Sequence, residues 1–188
     1  MININDIATH FSKNDALSYR MYAEDDINHL IKDYFIEDIS SKRVLDVGMG
    51  RGCHFEYLKS LGADVYGFSL DNYLQVPFEK DKMFITDIRN MKEDLFGTFD
   101  IALQYRFRVL PEEDIPSIFQ TIAKSLKPEG MYVATFIDGQ TTDNKIFDAL
   151  RELFNEVQFK LIDEARVLHC AALGPKEIKI TTPDIIMP

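Results

Sequence analysis

The residues best suited to chemistry lie in one run, Asp46-Val47-Gly48-Met49-Gly50-Arg51-Gly52. Glycines at alternate positions let the backbone turn sharply and let a ligand approach where a Cβ would collide. The run follows a short apolar segment, Arg43 to Val47, that reads as a strand, and it opens a helix. A dinucleotide fingerprint needs its third glycine one position later, where this chain has Cys53. The Gly-Lys-Ser/Thr ending of a phosphate loop is also missing. The spacing therefore favours a nucleoside ligand without a pyrophosphate.

Other reactive side chains are scattered. Cys53 and Cys170 lack metal-ligand or redox spacing and read as free thiols in a reducing compartment. His10, His29, His54 and His169 form no cluster with cysteines, so no metal is expected. His54 opens the helix beside the glycine loop, where a structural hydrogen bond is the favoured role. His169 alternates between Leu168 and Cys170 on a strand and reads as a satisfied or exposed strand histidine.

These residues need a scaffold, and the apolar pattern supplies one. Ala16, Met21, Ile27, Leu30, Ile31, Tyr34 and Phe35 recur at helical spacing, so roughly the first 38 residues read as one or two amphipathic helices. Strand and helix then alternate. The strand at Arg43 to Val47 is followed by a helix from Cys53 to Leu61, which Gly62 closes at a position suited to left-handed backbone. Strands follow at Asp64 to Phe68, Met83 to Thr86 and Phe99 to Gln104. A helix is expected from Pro111 to about Leu126, with Glu112, Glu113 and Asp114 matching the positive end of its dipole. Lys127 to Gly130 reads as a turn, Met131 to Phe136 as a fifth strand and Asp143 to Phe154 as a helix. Val157 to Ile162 and Val167 to Leu173 close the pattern as two strands joined tightly.

Parallel neighbours need a crossover, whereas a tight connection makes its two strands antiparallel. The expected fold class is α/β: a Rossmann-like, doubly wound, seven-stranded sheet, mostly parallel with one antiparallel strand and helices on both faces. At 188 residues the chain suits one compact domain. Its parts are an N-terminal helical segment over 1–38, a core domain over 39–174 and an extension over 175–188. With 46% hydrophobic and 28% charged residues the composition is that of a globular protein. A formal charge of −10 opposes a broad phosphate-binding face, so no nucleic-acid partner is expected. No stretch approaches the roughly 20 apolar residues of a membrane span, and the N-terminus lacks signal-peptide character. A cytoplasmic protein is expected; a homodimer is left open.

Residues 43 to 136 resemble the class I S-adenosylmethionine-dependent methyltransferases, particularly small bacterial members with a Gly-Arg-Gly-x-His loop, here Gly50-Arg51-Gly52-Cys53-His54. Further matches are Asp87-Ile88-Arg89 after the third strand, Phe99-Asp100-Ile101 entering the fourth, and Leu126-Lys127-Pro128-Glu129-Gly130 before the fifth. The resemblance implies S-adenosylmethionine as cofactor and S-adenosylhomocysteine as its product. It assigns Asp46 to the methionine amino group, and Gly48, Gly50 and Gly52 to the backbone cradle. Asp87 would face the adenine amine with Ile88 as apolar flank, and Gln104 would lie beneath the sulfonium. Each has a plainer alternative: Asp46 and Asp87 as turn caps, Gln104 as a partner of loop backbone. Tyr105 and Arg106 sit where acceptors approach in this family. Tyr105 would orient or deprotonate the acceptor, and Arg106 would bind an acidic group on it. Alternatively both belong to the loop's own packing and charge balance. In the N-terminal segment Phe11, Tyr19, Met21 and Tyr22 are candidates for a lid, with Phe11 and Tyr19 preferred and Tyr19 contacting the acceptor; the alternative is a core stripe.

The chain departs from the family at the end of the second strand. There an acidic residue usually accepts both ribose hydroxyls, and this sequence has Ser69. A serine offers one hydrogen bond in place of a charged bidentate clamp. Asp71 either turns inward as a substitute or caps the next turn. Only 13 residues separate Ser69 from Met83 and Pro77 interrupts them, so the helix expected there is stunted. The leading reading is a methyltransferase of small-molecule oxygen or nitrogen acceptors. The alternative is a domain that binds the cofactor but serves as a non-methylating partner or regulatory subunit, or catalyses another reaction with it. A nicotinamide dehydrogenase ranks third.

Overall fold

The computed structural model describes residue 28 and residues 38–105, 111–137, 143–162 and 167–176. Seven strands form one sheet: β1 (Arg43–Val47), β2 (Asp64–Ser69), β3 (Met83–Ile85), β4 (Phe99–Gln104), β5 (Leu126–Ile137), β6 (Phe154–Ile162) and β7 (Val167–Pro175). Their order across the sheet is β3-β2-β1-β4-β5-β7-β6. β7 runs antiparallel to both its neighbours and the other pairings are parallel, so the expected mixed Rossmann-like sheet is what forms. Three helices are described in the core: α1 (Cys53–Ser60), α2 (Ile115–Ser125) and α3 (Asp143–Leu153).

Alternation along the strands divides the core in two, as the two-residue strand period requires. Val44, Val65, Ile101, Leu103 and Val133 pack with Phe55 and Leu58 of α1. Leu45, Val47, Ala102, Tyr132 and Ala134 pack with Ile115, Phe119 and Ile122 of α2 and with Ile146 and Leu150 of α3. Asp46 shares the parity of Val44 and so belongs on the α1 side.

The order of strands sets where a ligand can enter. From β1 the chain winds outward through β2 and β3, then returns to place β4 on the other flank of β1. A crevice opens at such a reversal, outside the carboxyl ends of the strands. Here those ends carry the glycine run after β1 and Gln104 and Tyr105 at the end of β4.

The structure corrects several boundaries. α2 begins at Ile115, not Pro111, and Pro116 explains the shift. Proline lacks the N–H that a helix interior needs, so Pro116 is tolerated only within the first turn. β5 begins at Leu126 and carries the expected turn within it: Phe99 pairs with Leu126 and Ile101 with Met131, so the segment between bulges out of register. The stunted helix after β2 does not form; residues 70–82 cross to β3 without any helix. Gly62 takes the expected left-handed conformation at φ 89°.

At the amino-terminal end of the sheet, Asp100 joins three strands. Its Oδ2 accepts from the Arg43 backbone N–H at 2.8 Å, and its Oδ1 accepts from Lys127 Nζ at 2.8 Å. Burial opposes the charged form, but these donors outweigh it and hold the carboxyl below its ordinary value. Stability from such a group is present above the unfolded pKa and is lost as pH falls through the folded one. Asp100→Asn is expected to cost about 1–2 kcal/mol at pH 7 by urea denaturation, with the gap closing in acid below the carboxylate range.

Candidate functional site

The glycine run is fixed from below by β2. The N–H groups of Gly48 and Met49 both donate to the Phe68 carbonyl, at 2.8 and 2.9 Å. Gly48, Gly50 and Gly52 all take positive φ, at 79°, 51° and 81°. The three glycines nevertheless differ in what surrounds them. A Cβ at Gly48 would meet nothing within 4 Å, whereas one at Gly52 would lie 2.4 Å from Val76 Cγ2 and 3.4 Å from Leu74 Cδ2. Gly48 thus faces open space, and Gly52 is covered by the chain itself.

That cover is the crossover from β2 to β3. Gln75 N–H donates to the Arg51 carbonyl at 2.9 Å, which straps residues 74–76 across the glycine loop. Gly52 is also the N-cap of α1. The helix end that holds a pyrophosphate in dinucleotide folds is therefore packed by Val76 and Leu74 here. Sequence reasoning saw the short crossover and Pro77 but not the strap, because nothing in residues 70–82 signals which loop they will lie on.

Beneath the open glycine lies Asp46, 1% exposed. Its carboxylate has a hydrogen bond from the Phe55 backbone N–H at the start of α1, and its Oδ2 has no partner. Desolvation pushes its pKa up to about 7, against that single donor. A buried carboxylate with one orphaned oxygen beside an open backbone turn is a receptor for a cation or hydrogen-bond donor.

The remaining sequence candidates divide. Asp87 caps the short helical turn Ile88–Asn90: Oδ1 accepts from Arg89 N at 2.9 Å, and Oδ2 from Arg89 Nη2 at 2.7 Å. Arg89 holds the Asp87 carboxyl below its ordinary value and also pairs with Asp114. Ile88 is buried. Gln104 is buried and its Oε1 accepts from Tyr132 Oη at 2.6 Å. Tyr132 packs edge-on to Phe119 and stacks with Phe154. The partner of Gln104 is thus a core tyrosine rather than loop backbone. Ser69 is buried, and its hydroxyl donates to the Asp71 carbonyl at 2.9 Å while Asp71 itself is exposed.

Tyr105 follows β4, and its ring lies 4.8 Å from that of His54, tilted by 48°. The sheet reversal therefore brings the second residue of α1 against the first residue after β4, a pairing that sequence order alone did not reveal. Arg106, Phe11, Tyr19, Met21 and Tyr22 lie outside the described residues. Cys53 and Cys170 are free thiols, and burial pushes Cys170 up to about 12. Among the described residues no cluster of His, Cys, Asp and Glu could hold a metal ion, and no helix is long and apolar enough to cross a membrane.

No family model and no curated protein matches this chain. Solved structures share its fold at low identity. A protein of Pyrococcus horikoshii OT3 superposes with TM-score 0.66 and 14% identity, over 88% of this chain and 95% of that one. The 1,6-didemethyltoxoflavin-N1-methyltransferase of Burkholderia thailandensis, solved with S-adenosylhomocysteine, gives 0.61 and 16%, over 90% and 86%. A 16S rRNA (adenine(1408)-N(1))-methyltransferase from Catenulisporales acidiphilia gives 0.58 and 13%, over 73% and 86%. The likeness shows the fold and spans small-molecule and RNA methyltransferases alike.

Two variants test this geometry. Gly52→Ala meets both left-handed strain and Val76, whereas Gly48→Ala meets strain alone, about 1–2 kcal/mol. Gly52→Ala is therefore expected to lower the melting temperature more; equal losses would contradict the strap. A carboxyl whose folded pKa is raised contributes stability that is lost as pH rises through that pKa. Asp46→Asn is accordingly expected to melt several degrees higher than wild type at pH 8, with the advantage shrinking as pH falls below 7 and vanishing only below the ordinary carboxylate value of 3.8.

Proposed function

We propose that this chain is an S-adenosylmethionine-dependent methyltransferase acting on the oxygen or nitrogen of a small-molecule acceptor. The observation that carries the reading is Asp46. Its orphaned Oδ2 beside the unobstructed face of Gly48 suits the ammonium of an amino-acid-bearing nucleoside. The apolar plug over the α1 N-terminus argues against a dinucleotide, whose diphosphate needs that helix end. Fold neighbours solved with S-adenosylhomocysteine or S-adenosylmethionine bound support the same choice. The Gly50-Arg51-Gly52-Cys53-His54 loop is the basis for likening the chain to the small bacterial members.

When bound, the cofactor supplies a methyl group activated on a sulfonium. Methyl transfer is a displacement, so alignment and exclusion of water carry much of the catalysis. Asp46 and the turn at Gly48 and Gly50 hold the amino-acid end, and Ile88 flanks the base. Gln104, held by Tyr132, forms the floor under the reacting end. Tyr105 orients the acceptor and takes up its proton where one must leave, with Arg106 binding an acidic group on it. The segment 1–38 is the proposed lid, with Phe11 and Tyr19 as its preferred lid residues and Tyr19 contacting the acceptor. The hydrogen bond from Tyr57 Oη to Asn28 Oδ1, 2.9 Å, joins Asn28 to α1. A small molecule is favoured over RNA because a net charge of −10 opposes a polyanion.

A second reading rests on Ser69. Without an acid at the end of β2, the domain suits a protein that binds the cofactor and regulates or partners another enzyme. The distinguishing experiment incubates the protein with methyl-labelled S-adenosylmethionine and a metabolite extract. A labelled product supports methyl transfer; intact cofactor binding without any product favours the second reading.

Calorimetry tests both readings together. S-adenosylmethionine and S-adenosylhomocysteine are expected to bind, and Asp46→Ala to abolish binding. Because burial holds the Asp46 pKa at about 7, affinity for an ammonium is expected to drop about tenfold between pH 7.5 and 6. Absence of binding to either ligand would sink both readings.

A further inference from the structure

The site offers a cationic ligand one carboxylate, Asp46, and the end of β2 offers its neighbour none. Phe68 accepts from Gly48 and Met49, so β2 ends directly against the glycine turn. In nucleotide-binding sheets an acid about 20 residues beyond the first glycine, at this strand end, accepts the ribose hydroxyl. Ser69 holds that place, buried, and its own proton is committed to the Asp71 carbonyl at 2.9 Å. The chain then leaves the site at once. Leu70 is 68% exposed, Asp71 and Asn72 are exposed, and Tyr73 is 65% exposed.

The strap fixes this arrangement. Leu74 and Val76 are pinned on Gly52, and Gln75 on Arg51, so only residues 70–73 bridge from the buried Ser69 to the strap. The hydrogen bond from Ser69 to Asp71 closes that bridge into a compact turn with the Asp71 carboxylate on its outer side, in water. A carboxylate in water gains little by exchanging hydration for a ribose hydroxyl, whereas a buried one gains much more.

We infer that this site selects its nucleoside by the ammonium at Asp46 and not by the ribose diol, and that the Ser69–Asp71 turn is the determinant of that tolerance. The inference rests on the cofactor reading above and extends it to a class of ligand: S-adenosyl compounds altered at the ribose hydroxyls are accepted nearly as well as the parent.

The test is calorimetry on the full chain with three probes: S-adenosylhomocysteine, its 2′-deoxy analogue, and 5′-methylthioadenosine, which lacks the amino-acid end. The deoxy analogue is expected to bind within about tenfold of the parent, the span of a single neutral hydrogen bond, and methylthioadenosine to fall beyond that span. Asp71→Asn, a surface change, should leave the ratio of parent to deoxy analogue unaltered. Ser69→Asp should tighten the parent more than the deoxy analogue, which keeps only the 3′-hydroxyl, and so widen their ratio; if that variant fails to fold by circular dichroism, the wild-type ratio and Asp71→Asn decide alone. A loss beyond tenfold for the deoxy analogue overturns the inference, as does a parent preference that disappears in Asp71→Asn. Retention of methylthioadenosine at parental affinity overturns the role given to the ammonium. Failure of S-adenosylhomocysteine itself to bind overturns the cofactor reading instead, so the two failures are distinguishable.

Discussion

Burying a carboxylate with one of its oxygens unpaired runs against the ordinary economy of a protein core, and Asp46 is held in that state by its surroundings. The parity of β1 turns its side chain toward α1, where the Phe55 N–H reaches it. The turn above is closed by two amide donors on Phe68, so the loop cannot fold down to satisfy the second oxygen. Left-handed glycines hold that turn, and Gly67 in β2 keeps room beneath it: a Cβ there would lie 2.3 Å from Met49 Sδ. An unmet hydrogen bond in a low-dielectric setting is an energetic cost in the free protein that a ligand can recover. The sheet order places this point at the reversal beside β4, where Tyr105 meets His54.

Much of this was legible in the sequence. The alternation of strands and helices, the single reversed strand and the position of the glycine run follow from periodicity and from rules about parallel connections. The place of Asp46, near the end of β1 and just before the glycine turn, was legible from the strand-then-glycine pattern. Partners were not. Whether Asp87 faces a ligand or caps its own turn depends on where Arg89 lies, and Arg89 is drawn to Asp87 and Asp114 together. Gln104 meets Tyr132 only because β4 and β5 are neighbours in the sheet, an adjacency without any local signature. The α2 boundary was readable in principle: Pro116 marks the first turn more firmly than the acidic residues before it.

The strap shows how a missing element changes the meaning of a motif. With a regular helix after β2, the end of α1 would stay open and the three glycines would look equivalent. With residues 74–76 laid across Gly52, the third glycine is packed by the chain while the first faces open space. Glycine spacing alone cannot separate these roles, since both demand a residue without a side chain.

The two ends of the site also differ in how firmly they are built. Gln104 is fixed by Tyr132, whose ring is held between Phe119 of α2 and Phe154 of β6, so the sheet and a helix packed on it together brace the end of β4. Close-packed aromatic contacts of this kind transmit strain and resist displacement. The end of β2 is bordered by coil: the turn at Ser69, exposed residues from 70 to 73, and a strap held by Gln75 N–H and a few apolar contacts. Displacement chemistry is sensitive to alignment over fractions of an ångström, whereas a nucleoside tail needs only to be retained. On the proposed cofactor reading, a rigid floor at Gln104 and a charged anchor at Asp46 would supply alignment and retention, and that division would leave the end of β2 free of the demand that otherwise places an acid at Ser69.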